Sequence, residues 1–409
     1  MTAAEAAALL GVKRTTLYAY ASRGRVRTVP IAGSRERRYA RGDLERLRSR
    51  SDARAGHTAV AASALRWGEP VLDTAISAIT SEGPIYRGVP AVELARSGAR
   101  FEDAVALLWE QAPQPITAAG PGVSERKLVA LLPPSARPLE VLPLAVAALG
   151  AADPTRFVGG RDAELARART LLRRVAAALC LPGRSSAMAA VLGAPSLATA
   201  ALIAGGAAPR RRSVALIDRA LVLCADHELN VSTFAARVAA SSGADLYACV
   251  GAALCALSGP AHGAACDRAA ALVAALARPE DALREVRERA ARGEVLAGFG
   301  HPLSPDGDPR AAMLIEGALE LAPRARTVRS VAALRDAVLL AGGPAPTVDH
   351  GLVAVCAAVG LGTELAAGLF ALARAAGWVA HIREQREAAF LLRPRARFVG
   401  DVSATSHHT

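Results

Sequence analysis

The sequence predicts an almost all-α protein of more than one domain, with a small basic helix-turn-helix module at its N-terminus. Three observations lead there. The composition is rich in Ala, Leu, Val and Arg and poor in aromatics, and Ala, Leu and Arg cost least in a helix. At 409 residues the chain exceeds one ordinary core and suffices for two or three packed units. The basic excess is uneven: residues 1–54 hold thirteen Lys/Arg against five Asp/Glu, whereas the other residues hold 36 against 32. A polyanionic partner is therefore expected of the first module and not of the whole molecule.

The opening, TAAEAAALLGVKRTTLYAYASRGRV, reads as two short helices around Gly11, with Thr2 as N-cap and Ala6, Leu9, Leu10 and Leu17 at core spacing. After it, RTVPIAGSRERRYARGDLERLRSR reads as an extended piece, a Gly-centred turn, an Arg-rich strand and a helix starting near Gly42. This segment, 1–54, resembles the winged helix-turn-helix domains of the MerR and excisionase kind. Phosphate contacts would fall to Arg23, Arg25, Arg35, Arg37 and Arg38. A small, polar stretch around 51–66 places a linker at 55–66.

From Trp67 the pattern is helical nearly throughout, with Pro/Gly loops near 112–122, 133–138, 205–212, 302–309 and 342–346. A small hairpin is expected over Leu72–Ile79 and Ser81–Gly88. The uncharged stretch Ser185–Pro209 is long enough for a bilayer, but it is Ala, Gly and Ser around Pro195, so helix–turn–helix is expected and no membrane. The six cysteines form no C-x-x-C pair and no secretory leader is recognisable, so reduced thiols in a cytoplasm are expected. No metal site is expected.

Four segments have the residue types of chemistry. In DHELNVST…GPAHGAACD, His227 and His262 bracket a helical run, and Gly259, Pro260 and Gly263 set His262 on a turn. Either histidine alone is more simply structural. In GFGHPLSPDGDPR, Gly298 and Gly300 flank Phe299 before His301, where backbone N–H groups would meet a nucleotide or pantetheine, and Arg310 follows an Asp-Pro turn. In PAPTVDHGLVAV, Asp349 taken alone reads as a helix N-cap. In RAAGWVAHIREQ, Arg374, Trp378 and His381 share a helix face, and Arg393, Arg395 and Arg397 follow as an ordinary solvated charge run.

Taken together, the order and spacing of these segments resemble the citrate synthase family over residues 68–400. The family's H-E-x-N-x-S/T, G-P-x-H-G-G/A, G-F/Y-G-H…D-P-R and R-x-x-G-W-x-A-H elements are matched in turn. Its early Y-R-G turn, ahead of a helix with a Phe-Glu pair, is matched by Tyr86–Gly88 and Phe101–Glu102. The resemblance implies a helical large domain (67–264 and 349–409) with an inserted small helical domain (265–348) that closes after oxaloacetate binds.

It also implies condensation of acetyl-CoA with oxaloacetate, with no cofactor besides the acyl-CoA substrate. Asp349 would be the base, His262 the donor to the thioester carbonyl, and His301 the group polarising the keto oxygen. Arg310, Arg374 and Arg393 would hold carboxylates with help from His227, and Gly298, Phe299 and Gly300 would line the CoA site. Arg393 would act across a homodimer. Three positions depart from the family: Cys266 stands where Asn is common, Leu303 and Ser304 where Tyr is common, and His350 where Phe is usual. Propionyl-CoA differs by one methylene, a small energy in a pocket, so 2-methylcitrate synthesis is the nearest alternative. A DNA-binding regulator with a metabolite-sensing body is the next, and an inactive scaffold is disfavoured because it has no need of these groups together.

Overall fold

The computed structural model describes residues 1–10, 12–22, 25–30, 37–44, 72–118, 128, 131–133, 135–180, 185–305 and 307–396. The chain divides into two compact units, Met1–Asp73 and Thr74–Thr409. In the first, helix α1 (Ala3–Leu10) and helix α2 (Arg14–Ser22) are followed by an antiparallel pair, β1 (Thr28–Pro30) and β2 (Arg37–Tyr39), with Thr28 opposite Tyr39. A capping box starts α1: Thr2 Oγ1 accepts from Glu5 N–H and Glu5 Oε2 accepts from Thr2 N–H. Ala6, Leu17, Val26, Tyr39 and Leu44 form its small core, with Leu9 and Leu10 half-buried beside them. Helix resumes at 41–44, where Asp43 takes Arg27 in a two-pronged ion pair. Arg25, Arg37 and Arg38 are exposed, while Gly11, Arg23, Arg35 and the linker 55–66 lie outside the described residues.

The second unit opens with a small sheet of β3 (Ser77–Thr80), β4 (Gly83–Tyr86) and β5 (Val89–Pro90), antiparallel throughout. The hairpin falls within the expected segment, but its first strand begins at Ser77 and not at Leu72, and Arg87 and Gly88 make the β4–β5 turn with positive φ. Helices follow: α3 (Ala91–Arg96), α4 (Phe101–Trp109), α5 (Pro138–Ala152), α6 (Arg161–Ala178), α7 (Met188–Leu192), α8 (Leu197–Ala204), α9 (Arg211–Cys224), α10 (Val231–Ser241) and α11 (Leu246–Leu257). Then come α12 (Ala265–Ala275), α13 (Ala282–Ala291), α14 (Pro309–Leu321), α15 (Arg326–Leu340), α16 (Val348–Val359) and α17 (Ala366–Ala388). The stretch 185–209 forms α7 and α8 with turns, as expected.

Helix α17 packs against α10, α9, α11 and α4 and is buried on nearly every side, including Arg374, Trp378 and His381. A helix without a polar face belongs in the middle of a core. Its length and composition would suit a membrane, but within this unit its apolar window is wholly enclosed by protein. Two early residues anchor the frame around it. Tyr86 Oη donates to the Val222 carbonyl at the end of α9, and Trp109 Nε1 donates to the Ala376 carbonyl on α17. Both are fully buried, so losing either partner would strand a polar group away from water.

Candidate active site

Three chain segments meet behind α17, each brought there by a specific residue. At Gly377 a Cβ would lie 2.1 Å from Asp226 Oδ1 and 2.6 Å from the Ala225 carbonyl, so only glycine lets α17 approach the end of α9 this closely. Asp226, wholly buried, is held by Ser77 Oγ, and its Oδ2 lies 3.3 Å from His381 Nε2. Burial works against its charge, but His381 and Arg374 outweigh this and hold the carboxyl below its ordinary range. This arrangement fixes the chain at His227, where Glu228 takes a positive φ and donates its N–H to both Ser77 Oγ and Asp226 Oδ2. On the other side of His381, Arg237 Nη1 lies 3.5 Å from its Nδ1 and donates to Glu384 Oε2 at 2.6 Å. Asp226, Ser77, Arg237 and Glu384 were not singled out from the sequence; the signal available was the D-H-E-L run followed far downstream by G-W-x-A-H.

His262 sits on the turn before α12, where a Cβ on Gly263 would collide with Leu257. Its Nε2 is 2.9 Å from Ser232 Oγ, and Trp378 Nε1 donates to the same oxygen at 3.2 Å. Ser232 also lies 2.7 Å from Asn230 Oδ1, which caps α10 through Thr233 N–H. The DHELNVST and GWVAH motifs are therefore one structure: Asn230, Ser232 and Trp378 orient His262. Burial, aided by Arg374, pushes His262 down to about 4, so its ring is neutral near pH 7.

His301 accepts Leu303 N–H on Nδ1 at 3.2 Å, so in the neutral ring Nε2 is the nitrogen that bears hydrogen. Burial first, then Arg310, lowers its basicity. His227 meets it edge-on with ring centroids 5.6 Å apart, and burial holds His227 neutral well below the ordinary histidine range. Arg310, on the first turn of α14, forks onto Asp308 with Nε–Oδ1 3.0 Å and Nη2–Oδ2 2.9 Å. Its third nitrogen, Nη1, is buried with no hydrogen-bond partner among the described residues. Burial, the largest influence, opposes its charge, yet Asp308 keeps it cationic. Arg374 donates from Nε to the Cys224 carbonyl and lies 4.6 Å over the Phe370 ring.

The loop bearing His301 is tied to the loop before α16. Thr347 N–H donates to the Gly298 carbonyl and Gly300 N–H to the Ala345 carbonyl. Gly298 and Gly300 both have positive φ, and a Cβ at Gly298 would strike the His350 ring. For Gly300 this corrects the expectation of an amide free for a ligand, because its N–H is already spent on the Ala345 carbonyl. Buried Phe299 packs at 4.5 Å from the His350 ring, whose Nε2 lies 3.1 Å from the Ala297 carbonyl.

Asp349 is not the N-cap of α16. Thr347 holds that position, and Asp349 lies within the first turn. There Oδ2 accepts from Thr347 Oγ1 at 2.6 Å and Oδ1 from the Cys266 thiol at 2.9 Å. His227, His262, His301, Arg310, Arg374 and Asp349 thus come together, whereas Arg393 is exposed beyond α17 and Arg397 lies outside the described residues.

Two buried guanidiniums, Arg310 and Arg374, and three imidazoles of lowered basicity, His227, His262 and His301, are gathered with the Asp349 carboxylate. Comparison with known proteins carries this further. The family described as citrate synthase, C-terminal domain, matches residues 64–395, and a helix-turn-helix domain matches residues 1–51. "2-Methylcitrate synthase 2" of Corynebacterium glutamicum is 30% identical over 353 residues, covering 80% of this chain and 92% of its own length. "Citrate synthase 2" of Bacillus subtilis is 35% identical over 198 residues, covering 48% of this chain; this match spans about half, 53%, of that relative. The solved Thermoplasma acidophilum citrate synthase, in ternary complex with carboxymethyl coenzyme A and oxaloacetate, superposes with a TM-score of 0.72 at 25% identity, covering 83% of this chain and 96% of that one. The chain belongs to the citrate synthase family.

Proposed function

We propose that this protein condenses acetyl-CoA with oxaloacetate to citryl-CoA, whose thioester is then cleaved by water, releasing citrate and CoA. The observation that carries the reading is the buried Nη1 of Arg310, without a hydrogen-bond partner among the described residues, a cationic donor left over beside two imidazoles of lowered basicity, His227 and His301. Such a donor calls for a carboxylate, and Arg374 supplies a second cation for a dianion. The neutral His301 presents Nε2–H to the keto oxygen and gives it the proton as the alkoxide forms. Asp349, its carboxylate fixed at both oxygens, takes the proton from the acyl methyl group.

His262 stabilises the enolate oxygen as a neutral donor. That role requires the Ser232 hydroxyl to turn from Asn230 Oδ1 to His262 Nε2, which leaves the ring hydrogen on Nδ1. Gly298, Phe299 and Gly300 wall the acyl-CoA side, residues 265–348 close over the site as a small domain, and Arg393 completes the site of a second subunit in a homodimer. The free cysteines suit a cytoplasmic protein.

A coupled assay of thiol release, with acetyl-CoA and propionyl-CoA each tested against oxaloacetate, tests this reading. Release with acetyl-CoA supports it, preference for propionyl-CoA makes the protein a 2-methylcitrate synthase, and no release with either contradicts it. A second reading concerns the first unit, whose exposed Arg25, Arg37 and Arg38 suit DNA phosphates. Residues 1–54 should retard duplex DNA at low salt and lose it steeply as salt rises. No retardation at low salt would leave the unit a packing element.

A further inference from the structure

Cys266 is fully buried at the second position of α12, with Sγ 2.9 Å from Asp349 Oδ1. The other carboxylate oxygen is held by Thr347, so the plane of Asp349 is set from two sides by two different donors. The donors are unequal. A hydroxyl stabilises a carboxylate strongly, whereas a thiol is a weak donor that directs an oxygen while stabilising the anion little. Burial, reinforced by the Asp349 charge, pushes the Cys266 thiol well above its ordinary range, so it stays S–H and adds no second negative charge.

We propose that Cys266 is a positioning residue for this site: its thiol fixes the orientation of the Asp349 carboxylate and, as a weak donor, leaves it a stronger base than an oxygen donor would. The proposal rests on Asp349 being the base. The other charged or titratable groups acting around Asp349 are His301 on its loop, His350 on α16, Cys224 on α9, and the Arg310–Asp308 pair, whose carboxylate also accepts Val348 N–H. None of them is altered by substitution at Cys266, so a change in the acid limb of the kcat–pH profile reports the Cys266 contact.

Cys266→Ser, a stronger donor, should move that limb about 0.5–1 unit to lower pH with a lower plateau. Cys266→Val, which fills the space without donating, should move it about as far to higher pH. A purely structural cysteine would reduce stability or plateau without displacing the limb in opposite directions. An independent reading comes from the infrared S–H stretch, taken as the difference between wild type and Cys266→Val. The band should shift when Asp349→Asn weakens the acceptor. Limbs unmoved, or displaced in the same direction in both variants, overturn the proposal, and so does an S–H band indifferent to Asp349→Asn. Should wild type release no thiol from either acyl-CoA, the functional reading fails, while the infrared band still decides the hydrogen bond. Should Cys266→Val not fold, Cys266→Ser serves as the difference reference and its limb alone decides.

Discussion

Arg310 has two duties that a double-mutant cycle can separate. Two of its nitrogens fork onto Asp308, a pair only 5% and 3% exposed, and the third, buried without a hydrogen-bond partner among the described residues, is the one the proposed function gives to substrate. Arg310→Met keeps the bulk, removes both charge-assisted bonds and leaves Asp308 buried beside an apolar chain. Breaking a buried pair in this way costs about 3–5 kcal/mol of stability. Losing the donor to an oxaloacetate carboxylate costs a further ~2–5 kcal/mol in binding, a rise in KM of roughly 30-fold to several thousand-fold. Adding Asp308→Asn removes the stranded charge and keeps one amide oxygen as acceptor for one of the two backbone N–H groups, at 310 or at 348, that the carboxylate holds. Urea unfolding should then recover much of the lost stability, but the KM for oxaloacetate should stay raised. If the double variant regains substrate affinity together with stability, Arg310 acts only through Asp308 and the substrate-carboxylate argument is wrong.

Asp349→Asn should lower turnover ~10²–10⁴-fold with oxaloacetate binding retained in calorimetry; near-normal turnover would remove Asp349 as base. Asp218 is raised to about 7, chiefly by burial, against the hydrogen bond from Phe101 N–H. Its folded state therefore holds a proton the unfolded chain has lost, and this contribution is present below about pH 4 and disappears as pH rises through 7. Asp218→Asn should flatten that decline and stabilise the protein above pH 7 by up to about 4 kcal/mol; identical pH slopes in thermal melts would refute it. Inactive Asp349→Asn and Arg393→Ala homodimers, re-assorted in equal amounts, should recover roughly a quarter of wild-type activity, since half the dimers gain one whole site. A mixture still inactive after verified subunit exchange would leave Arg393 a surface residue.

The helical class, the β3–β4 hairpin and the Thr2 cap were legible because each is local: a composition, an alternation, a box four residues long. The catalytic candidates were legible as spaced motifs, and one kind of fact was hidden in them. Ser77 meets Asp226 across 149 positions, and Cys266 meets Asp349 across 83. No periodicity records a contact between segments so far apart. Asp349 looked like a cap because Asp before an apolar helix commonly is one; Thr347, bonded back to Gly298, took the position instead. Gly298 and Gly300 announced close approach correctly but not toward what, since a positive-φ glycine serves a neighbouring loop as readily as a ligand. Helix α17 hid its role for the opposite reason, because a helix buried all round shows no polar stripe to orient it.

The central claim is that this site joins carbon to carbon before the thioester is cleaved, rather than hydrolysing acetyl-CoA directly. The most direct measurement follows acetyl-CoA labelled with carbon-13 in its methyl group, mixed with oxaloacetate, by NMR alongside thiol release. The account predicts one new methylene signal, that of citrate, for each thiol freed, and none in Asp349→Asn. Thiol release with labelled acetate as the product, or independent of oxaloacetate, would contradict it.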